Sequence, residues 1–240
     1  EISNYKTGVF MAMEINQTLQ QLRQNKGFKG FLYSFAGFLI VGIVVILTTN
    51  HGDVVLFFNR YSGEKWDGLM QFLTDLGLGT VVAGVMAALL FWKVRFGFTG
   101  LLSLGFVAIF TNLGKKVLFD DRARPFNYFY YDDFHRFIYT AELNYHYSFP
   151  SGHSMTIFAA MSLFAVLAGK QWAGVVFFIA ALVIGFTRIY LLQHFFLDVY
   201  VGSVLGVLST ILALIFVHGI FRLDRFSWFE KPVYRIRFNR

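Results

Sequence analysis

Long apolar runs separated by short polar turns set the pattern of this chain. Phe31 to Thr49 is 19 residues without a charge. At about 1.5 Å per helical residue that is roughly 28 Å, enough to cross the hydrocarbon of a bilayer. Five further runs follow: Leu69 to Trp92, Phe98 to Leu118, Ser151 to Ala168, Trp172 to Leu191 and Phe195 to Ile220. The pattern predicts an all-α, polytopic membrane protein built as a six-transmembrane-helix bundle. Asp75 lies inside the second run and is expected as an interfacial residue or a helix-end partner.

Three segments depart from this pattern. Residues 1–30 are polar, with Ile15, Leu19 and Leu22 at helical spacing and Arg23, Lys26 and Lys29 behind them. They are expected as a cytoplasmic leader carrying a short helix on the membrane surface. The loop from Phe119 to Phe149 is the longest connection. Eleven of the 24 residues from Phe126 to Phe149 are Phe or Tyr. That composition suits an outer interfacial belt or a lid over a lipid-facing cleft, and does not suit a disordered linker. Residues 221–240 alternate basic and aromatic positions, which fits a cytoplasmic tail anchored at the membrane surface. The organisation is therefore a leader (1–30), a six-span domain (31–220) and a tail (221–240).

Composition agrees with the membrane class. Hydrophobic residues make up 56% and charged residues 15%, against about 25% charged in a typical soluble domain. The formal net charge of +7 fits cytoplasmic loops facing anionic lipid rather than nucleic-acid binding. There is no cysteine, so neither disulfides nor thiolate chemistry enter. The start carries no signal-peptide pattern. It begins at Glu1, with Met11 and Met13 as candidate start positions. The leader, the Lys93/Arg95 turn, the Lys170 turn and the tail carry a basic excess. The aromatic loop sets Arg122, Arg124 and Arg136 against Asp120, Asp121, Asp132, Asp133 and Glu142. Positive charge on the inside places both termini in the cytoplasm and the aromatic loop outside. This is the arrangement of a multi-pass protein of the inner (cytoplasmic) membrane whose site faces the periplasm or exterior.

That topology brings three distant clusters to one depth: Lys115, Lys116 and Arg124; Ser151, Gly152 and His153; and Arg188, His194 and Asp198. Ionisable residues at membrane depth are costly and mark function. Guanidinium and ammonium groups make a receptor for a dianion such as phosphate. Ser151 and Gly152 open a helix whose first N–H groups can receive phosphate oxygens. Two histidines supply acid and base near neutral pH. His194 and Asp198 are four apart, so the carboxylate can orient the ring. Arg188 is six before His194, so facing one ligand requires a bend between them. No spacing such as HExxH appears, so neither a catalytic metal nor another cofactor is expected.

These residues resemble the type 2 phosphatidic acid phosphatase superfamily of membrane lipid phosphatases. Its pattern is a Lys six residues ahead of Arg-Pro, then PSGH, then Ser-Arg, five residues, His, three residues, Asp. Here Pro150–His153 is intact, and Arg188, His194 and Asp198 match the third motif in full spacing. Thr187 replaces the serine. The first motif is stretched, with seven residues between Lys116 and Arg124 and eight between Lys115 and Arg124. Lys115 is favoured, because a turn at Asp120 to Arg122 can absorb the extra length. Arg122 is expected as a surface residue paired to Asp120 or Asp121.

The resemblance implies attack on phosphorus by His194, with Asp198 holding its ring and His153 as acid and then base. Lys115 or Lys116, Arg124, Arg188, Ser151 and Gly152 would stabilise the phosphoryl oxygens. The implied substrate is a lipid phosphate or diphosphate: undecaprenyl pyrophosphate, phosphatidylglycerol phosphate, lipid A phosphate or phosphatidic acid. Two competing readings are an anion transporter and a phosphatase of a soluble sugar phosphate. The absence of a broken-helix pair in the sequence pattern weighs against transport.

Overall fold

The computed structural model describes residues 2–130, 133–138 and 145–236, with the side chains of residues 2–10 excepted. Asp132 and Glu142, counted in the loop charge above, lie outside the described residues, as does Glu1. Among the described residues, ten α-helices carry the fold. They are α1 (Ile2–Gln24), α2 (Lys26–Thr48), α3 (Asp53–Arg60), α4 (Glu64–Asp75), α5 (Gly79–Leu89), α6 (Val94–Leu113), α7 (Pro125–Tyr128), α8 (Gly152–Ala168), α9 (Gln171–Tyr190) and α10 (Phe196–Leu214). Two of them run on into π-helical turns, Gly114–Leu118 after α6 and Ile215–Ile220 after α10. Among the described residues, four helices are long and apolar enough to cross a membrane: α2, α6 and α10 with their extensions, and α9. The pair α4 and α5 makes a fifth if counted as one span. At 17 residues, α8 is apolar but shorter.

The second run is not the unbroken helix expected from Leu69 to Trp92. It breaks between Asp75 and Gly79 with a bend of 48°. Glycines lie on either side of Leu78, and Gly77 N–H closes a tight turn on the Thr74 carbonyl at 2.9 Å. The expectation of no broken-helix pair therefore fails at this position. Asp75 ends α4 and accepts a hydrogen bond from Gln71 at 3.3 Å. The connection before it is not featureless either. It forms α3, whose Val55 is fully buried.

At the centre α8 packs on α9 and α10, and α2 packs on α9. Small residues set these spacings. A Cβ on Gly174 would sit 1.9 Å from the Gly27 carbonyl, so α2 and α9 touch backbone to backbone. A Cβ on Gly202 would meet the Ser151 carbonyl at 2.7 Å. That contact draws the start of α10 against the start of α8. In lipid, where helices gain little from apolar burial against each other, close approach of this kind is the main adhesive. Buried hydroxyls are satisfied locally: Thr210 bonds the Ala159 carbonyl at 2.7 Å and Ser103 at 3.1 Å.

Both flanking segments dock on the bundle at the end away from His194. On α1, Thr18 and Leu22 are buried whereas Leu19 is exposed, and Ile15 faces Gly219 in the π turn after α10. In the tail, Val94 N–H bonds the Lys231 carbonyl, Val233 N–H bonds the Leu90 carbonyl, and Phe229 is fully buried.

Candidate active site

The site forms where α6, α8, α9 and α10 end or begin. Helix α9 stops at Tyr190, and Leu192 takes a left-handed backbone with φ 57°. This conformation is uncommon for a bulky residue. Its effect is to fold Leu191–Phe195 back, so that the N–H groups of Gln193 and His194 both bond the Arg188 carbonyl, at 2.9 and 3.1 Å. This is the bend that the Arg188-to-His194 spacing requires.

Asp198 occupies the first turn of α10 and accepts from Phe195 N–H at 2.9 Å, which caps the helix and complements its dipole. The same oxygen, Oδ2, lies 3.3 Å from His194 Nδ1. His194 is 1% exposed and Asp198 3%. The other ring nitrogen, Nε2, is buried with no hydrogen-bond partner among the described residues. Burial, reinforced by Arg124, Lys115, Arg188 and His153, holds the His194 pKa well below its ordinary value. The imidazole is therefore neutral near pH 7. With Nδ1–H directed at the carboxylate, a lone pair remains on Nε2.

Arg124 and Arg188 are 6% and 9% exposed. Arg124 donates to the His146 carbonyl at 3.0 Å and to the Gln193 side-chain oxygen at 2.9 Å. Arg188 donates to the Thr74 hydroxyl at 2.9 Å. Thr74 lies in the last turn of α4, so the broken second span reaches the site directly. Gly77, in the same break, lies over His153: a Cβ there would be 3.7 Å from the His153 ring and 3.2 Å from Ile184. His153 sits in the first turn of α8, half-buried, within electrostatic reach of Arg188, Lys115 and Arg124.

Ser151 is the N-cap of α8. Its hydroxyl oxygen accepts from Ser154 N–H at 3.4 Å and from the Ser154 hydroxyl at 2.9 Å. Its own N–H bonds the Asp198 carbonyl at 3.1 Å, joining the second motif to the third. The N–H groups of Gly152 and His153 belong to the first helical turn, where no intrahelical acceptor exists.

The two lysines separate. Both lie in the π turn Gly114–Leu118, and a π turn takes up one residue more than an α turn. Lys115 is half-buried and acts electrostatically with Arg124, Arg188 and Asp198, whereas Lys116 is exposed. Gly114 packs so tightly on Pro150 that a Cβ would lie 2.5 Å from the ring, which ties the first motif to the second. The extra length of the first motif is thus absorbed partly in the helix itself, not only in the Asp120–Arg122 turn. Thr187 does not face the cluster; its hydroxyl bonds the Ile184 carbonyl at 2.6 Å. Among the described residues Arg122 has no carboxylate partner. It lies 5.9 Å from the Phe119 ring, and Asp121 instead approaches His146 at 3.8 Å.

Sequence reasoning passed over Thr74, Ser148 and Gln193, the neutral residues that hold the charged ones. It also passed over the brace beside them. Arg136 makes a bidentate pair with Asp67 at 2.7 and 2.6 Å, and Asp67 accepts from Tyr190 at 2.8 Å. Asn59, 1% exposed, bonds both the N–H and the carbonyl of Arg136. Phe134 and Ile138 are buried beside Ile189, Leu191 and Phe195, so residues 133–138 pack against the bend that carries His194.

A sequence profile of the PAP2 superfamily matches residues 96–222. An undecaprenyl-diphosphatase from Sulfolobus acidocaldarius is 30% identical over 143 residues, covering 58% of this chain and 65% of that protein. Two solved structures share the fold. LpxE from Aquifex aeolicus gives a TM-score of 0.60 at 21% identity, over 68% of this chain and 94% of that one. The PAP2-type phosphatidylglycerolphosphate phosphatase from Bacillus subtilis gives 0.55 at 24% identity, over 82% and 98%. The matched residues run from α6 through α10 and include all three clusters, and on that match the chain belongs to the PAP2 superfamily.

Proposed function

We propose that the protein is an integral membrane phosphatase acting on a lipid phosphate or diphosphate through a phosphohistidine intermediate. The observation that carries this reading is His194 Nε2, buried and without a hydrogen-bond partner, with Lys115, Arg124, Arg188 and His153 around it. In the first step Nε2 attacks phosphorus, an N–P bond forms and the P–O bond to the lipid breaks. His153 gives its proton to the departing oxygen. In the second step His153 takes a proton from water, the water oxygen attacks phosphorus, and the N–P bond breaks to release phosphate. Asp198 holds the Nδ1 proton throughout and stabilises the imidazolium character that develops. Lys115, Arg124, Arg188, and the N–H groups at the start of α8 with Ser151 as its cap, receive the equatorial oxygens. That is where charge accumulates in phosphoryl transfer. The reaction runs on imidazoles and fixed cations, so turnover should persist in EDTA.

A polyprenyl diphosphate is the first substrate to test, because the 30% identical relative is an undecaprenyl-diphosphatase. The six-pass arrangement rests on the four long helices, the bent pair and α8. The short length of α8 is consistent with its position, since most of its residues pack inside the bundle rather than against lipid. The basic leader, turns and tail support cytoplasmic termini and a site at the outer face. Purified protein in detergent should release phosphate from at least one of a panel of polyprenyl diphosphate, phosphatidylglycerol phosphate, lipid A phosphate and phosphatidic acid. His194→Ala should lower turnover by more than about 10³-fold with thermal unfolding unchanged. Phosphate release by that variant at the wild-type rate would refute the assignment.

A further inference from the structure

Ser148 lies two residues ahead of the Pro150–His153 cluster, outside all three motifs. It is 1% exposed. Its hydroxyl donates to Asp198 Oδ2 in a short hydrogen bond, and the same oxygen lies 3.4 Å from His194 Nδ1. Asp198 Oδ2 is thus approached by the Ser148 hydroxyl, the Phe195 N–H and the His194 ring. The Nδ1 proton of His194 falls between Oδ2 at 3.3 Å and the Ser148 oxygen at 3.4 Å. Three buried polar groups therefore form a closed triangle behind the unpartnered Nε2.

The main chain holds Ser148 in place. Its N–H bonds the Arg122 carbonyl at 3.0 Å, and two residues on Arg124 N–H bonds the Tyr145 carbonyl at 3.0 Å. The segment after the π turn and the segment before α8 are thereby paired. The serine comes from neither of the elements that carry His194 and Asp198, and it arrives with the loop that delivers Arg124.

We infer that Ser148 is a positioning residue for the proposed phosphatase reaction, acting through Asp198 to fix the Nδ1–H tautomer and the ring orientation of His194. A buried carboxylate must be held by donors to remain charged. Here two neutral donors do so, the Ser148 hydroxyl and the Phe195 N–H, alongside the imidazole. Removing the hydroxyl leaves one backbone donor and frees the ring to tilt. The charged groups facing the triangle are Lys115 from the turn after α6, Arg124 from the following loop, Arg188 from α9 and His153 from α8. None of them replaces a donor on Oδ2.

The inference rests on the phosphatase reading, and the test separates the two. Ser148→Ala should lower kcat about 10- to 100-fold, the range for groups that orient a functional histidine. KM and the inhibition constant for inorganic phosphate should stay within about threefold. In an Asp198→Asn background the same Ser148→Ala change should cost less than about threefold, since a residue acting through Asp198 loses its route when Asp198 is altered. Ser148→Cys keeps the side chain's shape with a weaker donor and should fall between the two, which preserves the test if the alanine variant is poorly folded. Equal losses in the two backgrounds, or a loss carried by KM rather than kcat, would overturn the inference. If His194→Ala is dead and Ser148→Ala is fully active, only this inference fails. If His194→Ala is active, the phosphatase reading fails first.

Discussion

The two ends of the bundle each collect cations and acids, but the groups around His194 are held differently from those at the far end. At the end away from His194, Lys93 and Arg95 both pair with Glu230, at 2.9 and 2.6 Å, with the three side chains about one third exposed. His218 lies 4.0 Å from Asp224. At the other end the acid Asp198 is engaged by a hydroxyl, a backbone N–H and an imidazole, while Arg124 and Arg188 are positioned through Gln193, the His146 carbonyl and Thr74. There the side chains are nine-tenths buried or more. Cations held at such depth cost stability. The far end ties the tail to the bundle; the near end gathers the residues proposed to take the phosphate.

The sharpest way to break this contrast is to remove one near-end arginine. Arg188→Ala and Arg124→Ala should each lower kcat/KM about 10²- to 10³-fold, the usual cost of losing one transition-state donor. Arg→Lys should not restore activity, because the ammonium lacks the bidentate fork. Steady-state phosphate release with the preferred lipid measures this. Full activity in either lysine variant would mean that the arginine supplies only charge.

A smaller and more discriminating effect concerns the two lysines of the π turn. Lys115→Ala should lower kcat/KM by about 10²-fold, as for a charge on the transferred phosphoryl group. Lys116→Ala should stay within about threefold, as expected of an exposed residue. The reverse ranking would place the wrong lysine at the phosphate.

How far the site was legible follows from the same residues. His153, Arg188, His194 and Asp198 announced themselves because charged and imidazole side chains in apolar sequence need a reason to be there. The bend at Leu192 was also implied, since residues six apart cannot share a helix face. Thr74, Ser148 and Gln193 gave no such signal. A buried hydroxyl or amide is common, and its meaning depends on which charged atom it meets, which is a tertiary fact. The helix break at Leu76–Leu78 was hidden because its residues are apolar or glycine, and a hydropathy window reads through them. The stretched first motif was visible as a count, but only the π turn showed how a helix takes up the residue. The pairing of Asp67 with Arg136, 69 positions apart, has no local trace at all.

The pH dependence tests the near end more gently. His194 is held neutral by burial and by the surrounding cations. Its folded pKa lies below the ordinary histidine value of about 6.5. The proposed nucleophile therefore remains unprotonated as pH falls through that value, and the part of kcat/KM that depends on it should be lost only at lower pH. The same sign governs stability. The unfolded chain takes up the proton first, so His194 contributes stability above about pH 6.5 that is lost as pH falls towards the folded pKa. A kcat/KM–pH profile whose acid limb, absent from His194→Ala, is centred above 6.5 would contradict the buried, cation-flanked ring.

The smallest expected effect is at the far end. Glu230→Gln removes the charge that Lys93 and Arg95 share. Both pairs are about one third exposed, so water and salt screen them, and such pairs contribute less than about 1 kcal/mol. Phe229 beside them remains fully buried, and the backbone bonds from Val94 to Lys231 and from Val233 to Leu90 remain, so the tail should keep its place. Thermal unfolding in detergent should shift by only a few degrees, and kcat/KM should be unchanged. A loss of activity with stability intact would show that charge at the far end reaches His194 through the length of the bundle. The two ends would then be one coupled system rather than a junction and a site.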